Sequence, residues 1–190
     1  MLEYIILGAL NLKPFTGYDI RSWIEGGIGM FYKASYGSIY PLLNKLLDQG
    51  DITCSNENQG KRVKKVYSIT PTGREVFMEW LENSEETGNS MESFIAKVFF
   101  FDQLPMELSS RIIETYEKKL EIYLNQLLEL KKQYDALENT QQFYYKISTL
   151  YYGICKLQSM IMWCETVKSQ KSLDNLVMAK EEKDAASDSN

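Results

Sequence analysis

The stretch "ASYGSIYPLLNKLLDQGDI", residues 34–52, carries a helical pattern with a proline inside it. Apolar side chains recur at spacings of three and four residues, which marks one face of a helix; they are Ile39, Leu42, Leu43 and Leu46. Pro41 interrupts this pattern, because proline lacks a backbone donor and its ring crowds the carbonyl four residues earlier. The position at which this helix begins therefore decides whether it is straight.

Two starts are compatible with the sequence. If Ser38 caps the helix, Pro41 falls in the first turn, where the N–H that it lacks would have no helical partner. If Ser35 is the cap, Pro41 must kink the helix or tighten its first turn. We favour a start near Ser35, because Tyr36 then joins the apolar face, but the sequence leaves both starts open.

The face opposite the leucines is small and polar. A helical wheel places Tyr40 at its margin, and its other members are Gly37, Ser38, Pro41, Asn44, Lys45 and Asp48. An ordinary solvated face is richer in Glu and Lys. Small side chains admit a phosphate backbone, and hydroxyl and amide groups can pair with base edges. The pattern favours close approach to a nucleic-acid groove.

Two further helices are predicted before this stretch. "EYIILGALNL" (3–12) is a short apolar helix that ends near Lys13 and Pro14. Thr16 offers a cap for "GYDIRSWIE" (17–25), whose core-facing residues are expected to be Tyr18, Ile20, Trp23 and Ile24.

Two strands and a fourth helix are predicted after it. "DITCS" (51–55) and "KKVYSIT" (64–70) read as strands, joined by the turn-forming "NENQG" (56–60). Thr70 then caps a helix that has Pro71 at its first position. This order of elements predicts a mainly α protein with an N-terminal winged helix-turn-helix and a two-stranded wing.

The net charge of −5 is unevenly distributed. Residues 1–83 hold nine Lys/Arg and nine Asp/Glu, so the acidic excess lies entirely in the remainder. The segment "GKRVKK" (60–65) has four basic residues among the five positions 61–65. A wing that contacts phosphate therefore explains this cluster of basic residues better than a hairpin that is only solvated.

The second half is predicted to be helical, beginning after a compositional change at 83–90. "SMESFIAKVFFFDQL" (90–104) is short and apolar, and Pro105 opens a long helix. Two heptad seams follow, typical of a coiled coil. The first contains Ile113, Tyr116, Leu120, Tyr123, Leu127, Leu130, Tyr134 and Leu137. The second contains Phe143, Ile147, Leu150, Ile154, Leu157, Ile161 and Cys164.

These helices, joined at "ENTQ" (138–141), are expected to form an antiparallel hairpin. The two helices have more aromatic surface than they need to cover each other, so we expect a homodimer interface here. Its residues would be Ile113, Tyr116, Leu120, Tyr123, Leu127, Leu130, Ile147, Ile154 and Ile161. The predicted domains are a DNA-binding domain (1–83), a helical dimerisation domain (84–178) and a disordered tail (179–190).

The chemistry of the chain argues against an enzyme. Histidine is absent, which removes the usual general base and the commonest metal ligand. The three cysteines are widely spaced, and we expect no disulfide, no metal site and no cofactor. No apolar run approaches twenty residues, and the N-terminus lacks the pattern of a signal peptide. We expect a cytoplasmic protein.

The chain resembles the PadR family of bacterial transcriptional regulators. The similarity is carried by "SYGSIYPLLNKLLDQGDI" (35–52), "KKVYSITPTGREVF" (64–77) and "ILGALNLKPFTGYDI" (6–20). "FIAKVFFFDQL" (94–104) and "YYGICKLQSMIMWCE" (151–165) resemble the virulence-activator-alpha-like C-terminal region of the longer members. The resemblance implies a homodimer that binds a palindromic operator, usually as a repressor.

Site residues follow from the same resemblance. In the family, the third helix enters the major groove, which implies contacts by Ser35, Tyr36, Ser38, Tyr40, Asn44 and Lys45. The family's wing contacts the flanking minor groove or backbone, which implies Lys61, Arg62, Lys64 and Lys65. Many members have a proline where this chain has Val63. Tyr36 is also a candidate for the core, because the helical wheel points it inward.

Two alternatives concern ligands and partners. Trp23, Trp80 and Trp163 could line an effector cavity, but each lies among apolar neighbours at helical spacing, which favours core packing. Some family members respond to phenolic acids or aromatic drugs, so a small-molecule effector is possible, although nothing in the sequence identifies one. A winged-helix adaptor that binds a partner protein would also suit the acidic total charge, but it leaves the basic wing unexplained.

Overall fold

The computed structural model of the chain describes residues 1–31, 36–59, 62–83, 91–137 and 140–177. These residues form a mainly helical fold with a small three-stranded antiparallel sheet, which confirms the predicted fold class. The helices are α1 (Leu2–Leu12), α2 (Gly17–Gly26), α3 (Ile39–Gln49), α4 (Pro71–Glu82), α5 (Met91–Val98), α6 (Met106–Asp135) and α7 (Tyr144–Lys168). The strands are β1 (Phe15–Thr16), β2 (Ile52–Gln59) and β3 (Arg62–Ile69).

The chain divides into two compact units, Met1–Met106 and Glu107–Asn190. In the first unit, the predicted helix caps are present. The side chain of Thr16 accepts a hydrogen bond from the Asp19 N–H at 3.1 Å, and that of Thr70 accepts one from the Gly73 N–H at the same distance. Each bond satisfies one of the donors that a helix N-terminus leaves unpaired. These caps explain why α2 and α4 begin where the sequence predicts.

The core of the first unit is formed mainly by α1 to α4. Ile5, Ile6 and Leu7 of α1 are completely buried, and α2 contributes Ile20 and Ile24. Tyr18, which the sequence assigned to the core, is instead 72% exposed. It lies in the first turn of α2, two residues after the cap residue Thr16.

The wing is longer than the sequence predicts. The proposed turn at 56–60 is wrong, because β2 continues to Gln59 and its residue Glu57 pairs with Lys64 of β3. Thr53–Glu57 and Val63–Lys65 are exposed on both faces of this ribbon, so burial imposes no alternation of polar and apolar residues. A third strand was also missed: Phe15 pairs with Tyr67 and joins β1 to β3.

An aromatic cluster connects the end of α5 to the helices of the first unit. Phe100 packs against Trp23, Phe77 and Trp80, with ring centroids 5.4 to 6.5 Å apart. Asn11 of α1 donates a hydrogen bond of 2.6 Å to the side chain of Gln103. Residues 91–104 are therefore part of the first compact unit, whereas the predicted dimerisation domain begins at residue 84. The proposed domain division stays a prediction.

The second unit contains α6 and α7, which run antiparallel. Near one end, the Ser110 hydroxyl donates to the Lys168 carbonyl oxygen at 3.3 Å. Near the other, the Lys131 ammonium lies 5.4 Å from the centre of the Tyr151 ring. The Lys168 side chain also pairs with Glu117, a buried residue of α6. The tail at 179–190 lies outside the described residues. No helix of the described chain is both long and apolar enough to span a bilayer.

Candidate nucleic-acid interface

Helix α3 begins at Ile39 and is preceded by a 3-10 turn at Tyr36–Ser38. The α-helix itself therefore starts later than the favoured position near Ser35. Ser38 is its N-cap residue, but the Ser38 side chain makes no capping hydrogen bond. Pro41 is the third residue of the helix, where it removes no helical hydrogen bond. The 3-10 turn before the α-helix matches the tightened first turn that was expected with a start near Ser35. Ser35 and the side chain of Tyr36 lie outside the described residues.

The two faces of α3 differ in burial as the sequence predicts. Ile39, Leu43 and Leu46 are buried, with no more than 1% of their surface exposed. Tyr40 is 58% exposed, and Asn44 is exposed beside it on the outer face. One shallow surface groove is lined by Tyr40, Pro41, Asn44, Lys45, Asp48 and Gln49. Three of the six residues assigned to the helix contact, Tyr40, Asn44 and Lys45, thus line one groove. Ser38, also assigned, is half-buried at the helix start.

The wing presents two of its four predicted basic residues within the described chain. Lys64 and Lys65 are exposed in β3, opposite Glu57 and Asn56 of β2. Lys61 lies outside the described residues, as does the side chain of Arg62. Because Glu57 is cross-strand to Lys64, the positive potential of the wing is partly offset at this position.

A second recess joins the wing to the helices. It is lined by Thr16, Gly17, Tyr18, Asp19, Tyr40, Lys64, Lys65 and Tyr67. The Tyr40 ring lies close to Gly17: a β-carbon at that glycine would be 2.8 Å from the ring. Tyr40 therefore lines both the α3 groove and this recess, and the two form one continuous surface.

Sequence reasoning missed the contribution of α2 to this surface. Tyr18 was placed in the core, and Thr16 was considered only as a cap. The first-turn position of Tyr18, two residues after the cap residue Thr16, is a local signal that the side chain can point outward. Its proximity to Lys64 and Lys65 depends on β1 pairing with β3, which no local pattern indicated.

Acidic groups border the candidate interface. Asp19 accepts a hydrogen bond of 2.7 Å from the Thr16 hydroxyl and lies beside Lys64. The Lys45 ammonium forms an ion pair of 2.8 Å with the carboxylate of Glu3, on α1. The hydrogen bond with Glu3 and the charge of that carboxylate raise the pKa of Lys45 above its ordinary value. Lys45 is thus cationic at neutral pH, but it is already paired.

The predicted dimer residues are not equally buried in the single chain. Ile113, Tyr116, Leu120 and Ile154 are buried within it, and Leu127, Ile147 and Ile161 are half-buried. Tyr123 is 58% exposed, and Leu130 is also exposed. Along α6, burial of the seam therefore decreases after Leu120.

A cluster of tyrosines is exposed at the start of α7, and we call it the α7 tyrosine surface: Tyr144, Tyr145, Tyr151 and Tyr152. Tyr145 alone is 83% exposed. Such a concentration of large aromatic side chains in water is unusual for a monomer surface. Because the Lys131 ammonium contacts Tyr151, the surface extends toward the end of α6.

Two further features concern metal ligands and the buried thiol. No group of three or more Cys, Asp or Glu in the part of the chain that is described could hold a metal ion. Burial raises the pKa of the Cys164 thiol to about 12, and the charge of Glu117 adds to this effect. Trp80 is buried in the aromatic cluster, and Trp23 and Trp163 are half-buried.

Comparison with known families gives two matches. The sequence model of the transcriptional regulator PadR-like family matches residues 6–79, and that of the virulence activator alpha C-terminal region matches residues 92–170. The negative transcriptional regulator PadR of Bacillus subtilis (strain 168) is 32% identical over 129 residues, covering 67% of this chain and 71% of that protein.

Solved structures with a similar chain include Bacillus subtilis PadR in complex with operator DNA. It is 28% identical, with a TM-score of 0.43 over 89% of this chain and 98% of that one. The Vibrio cholerae virulence activator AphA is 27% identical, with a TM-score of 0.41 over 90% of this chain and 97% of that one.

Proposed function

This chain belongs to the PadR-like family of transcriptional regulators, and from that premise we propose that it represses transcription by binding a palindromic operator as a homodimer. The name of the Bacillus subtilis relative, a negative regulator, supports repression rather than activation. Family membership also supports a regulatory rather than an enzymatic role, and a location in the cytoplasm with the DNA.

The observation that carries DNA binding is the continuous surface on both sides of Tyr40. On one side, the exposed face of α3 presents Tyr40 and Asn44, which can reach base edges in the major groove. On the other side, the recess presents Tyr18, Lys64 and Lys65, which are suited to phosphate. A helix for base contacts and a basic ribbon for backbone contacts are the two parts that a winged helix needs.

The homodimer is supported by the second compact unit. The α7 tyrosine surface, together with Tyr123 and Leu130, leaves an apolar area exposed on the described part of the single chain. A second copy of the same chain covers such an area on both molecules at once when the two are related by a twofold axis. A twofold dimer presents two equivalent copies of α3 to the DNA, so its operator should be palindromic.

A small-molecule effector belongs to the proposal on the family resemblance alone. Trp23 and Trp80 pack against aromatic neighbours in the core, so neither gives additional support for an effector cavity. The winged-helix adaptor remains the rival function. It would use the same exposed surfaces to bind a protein, but the pairing of lysines with a small polar helix face favours DNA.

Selection of bound sequences from randomised duplex DNA tests the proposal. Purified protein is incubated with the duplex pool, and the recovered sequences are compared with those recovered by a Tyr40→Ala variant. We expect an enriched palindrome with the intact protein and a weaker or altered one with the variant. A pool with no enriched sequence from a folded protein would contradict operator binding and favour the adaptor.

A further inference from the structure

An ion pair connects the outer face of α3 to the beginning of α1. The Lys45 ammonium lies 2.8 Å from a carboxylate oxygen of Glu3, 42 residues earlier in the chain. Lys45 is 52% exposed and lines the groove that also contains Tyr40 and Asn44. The side chain of Glu3 is less accessible, at 24%. The acidic side chain of Glu3 is thus paired with Lys45, on the face of α3 that is proposed to contact DNA.

Glu3 is the more constrained partner of the pair. It lies in the first turn of α1, where the partial positive charge of the helix N-terminus favours a carboxylate. Its neighbours Leu2 and Ile5 are buried, which anchors this turn to the core. Lys45 has a long side chain with four rotatable bonds, so it can reach another anion when one is available.

We propose that Glu3 is an affinity-setting residue, which competes with DNA phosphate for Lys45 and so weakens binding to every duplex. The inference rests on the proposed function, since it concerns the same DNA-binding face. In the free protein, Lys45 is neutralised by Glu3. When DNA binds, a phosphate can pair with the Lys45 ammonium only by displacing the Glu3 carboxylate. The negative charge of that carboxylate also repels the phosphates.

The effect is expected to be independent of DNA sequence. A lysine that contacts phosphate contributes electrostatic binding to any duplex, whereas base contacts depend on the sequence. Removing the competitor should therefore raise affinity for the operator and for random DNA by the same factor. The specificity ratio, which we assign to base contacts, should stay the same.

A double-mutant cycle tests this competition, using Glu3→Gln, Lys45→Gln and the double variant. Binding to a fluorescent random-sequence duplex is measured by anisotropy at several salt concentrations, and then repeated with the selected operator. Glu3→Gln should tighten binding by about 1.5- to 5-fold per protomer, the range that exposed ion pairs support. It should also steepen the slope of log affinity against log salt by about 0.9 per protomer.

Coupling between the two positions is the decisive result. The loss caused by Lys45→Gln should be larger when residue 3 is Gln than when it is Glu. Independent effects at the two positions would overturn the inference, as would an unchanged affinity and slope in Glu3→Gln. A wild-type protein that binds no duplex would instead overturn the proposed function, and the inference with it.

Glu129→Gln is a matched control. It removes the same charge and breaks an exposed pair with Lys132, at 2.6 Å, in the other compact unit. If Glu129→Gln tightens binding as much as Glu3→Gln, the effect is one of net charge and the inference fails. Thermal unfolding of every variant, followed by circular dichroism, shows whether a change in affinity arises from a change in folding.

Discussion

A β-carbon at Gly73 would lie 2.0 Å from the carbonyl oxygen of Asp51. The start of α4 therefore packs directly on the backbone where the chain enters β2. The carbonyl cannot easily move, because it accepts a hydrogen bond of 2.9 Å from the backbone N–H of Thr70. The single proton of the Thr70 hydroxyl is shared between this carbonyl, at 2.9 Å, and that of Gly50, at 2.8 Å. This close approach sets the position of α4 against the base of the wing, and it requires glycine.

Gly73→Ala should lower the free energy of unfolding by about 1 to 3 kcal/mol, the usual cost of forcing an extra methyl group into a packed site. Chemical denaturation measures the difference. Gly26→Ala is the control, because no atom outside its chain neighbours and its own helix backbone lies within 4 Å of the added β-carbon. Alanine is also the better helix former, so the control should be unchanged or slightly more stable. Equal stability of both variants would show that the packing around Gly73 relaxes without cost.

Asn44→Ala should reduce operator affinity while leaving random-DNA affinity nearly unchanged. Asn44 is exposed on the outer face of α3, and its amide can donate and accept at an adenine edge. The loss on the operator should be about 1 to 3 kcal/mol per half-site. Stability should change by less than about 0.5 kcal/mol, as for an ordinary surface substitution.

Anisotropy titrations with both duplexes measure the two losses. An equal loss on operator and random DNA would assign Asn44 to the phosphate backbone instead of a base. No loss on either would mean that α3 is docked with another face toward the DNA.

Replacing Lys64 and Lys65 with Ala should weaken binding to all sequences. Both lysines are exposed beside Tyr18 and Tyr40 in the recess. If each lysine binds one phosphate, each substitution should lower the slope of log affinity against log salt by about 0.9, and a dimer doubles the change. Lys118→Ala with Lys119→Ala, a pair of lysines on α6, controls for net charge. An unchanged slope in the wing variant would remove the wing from the interface.

Tyr123→Lys with Leu130→Lys should dissociate the proposed homodimer without unfolding the protomer. Both side chains are exposed in the single chain, so the substitutions leave its core intact. Leu120 is unsuitable for this test, because it is buried within the protomer. Charged side chains without partners are costly to bury in an apolar interface, so sedimentation equilibrium should report a monomer.

The control for the dimer test is Gln126→Lys, an exposed position on α6 outside the heptad seam. It should sediment as the wild-type protein does. A persistent dimer in the Tyr123 and Leu130 variant would place the interface elsewhere, with the α7 tyrosine surface as the next region to test.

Cys164 should resist thiol reagents in the folded protein. Burial raises its pKa to about 12, so at pH 8 almost no reactive thiolate is present. Cys54 and Cys155 are exposed and should react readily. Titration with a chromogenic disulfide should therefore detect two accessible thiols in native buffer and three in denaturant. Rapid reaction of all three in native buffer would show that α7 opens easily around Cys164.

The sequence alone determined the order of the helices, the caps of α2 and α4, the buried stripe of α3 and the family. These features depend on spacing within one element or on residues a few positions apart. A hydroxyl at Thr70 before Pro71 specifies a helix start whatever lies elsewhere in the chain. The spacing of the leucines in α3 similarly indicates which face of that one helix is buried.

Only the tertiary structure decided how these elements meet. The added strand β1, the exposed position of Tyr18, the glycine requirement at residue 73 and the Glu3–Lys45 pair each depend on groups far apart in sequence. The sequence missed the outer part of the wing because both faces of the ribbon are in water there, so its side chains carry no pattern of burial. Local signals specify an element, but the contact between two elements is determined by the packing of both.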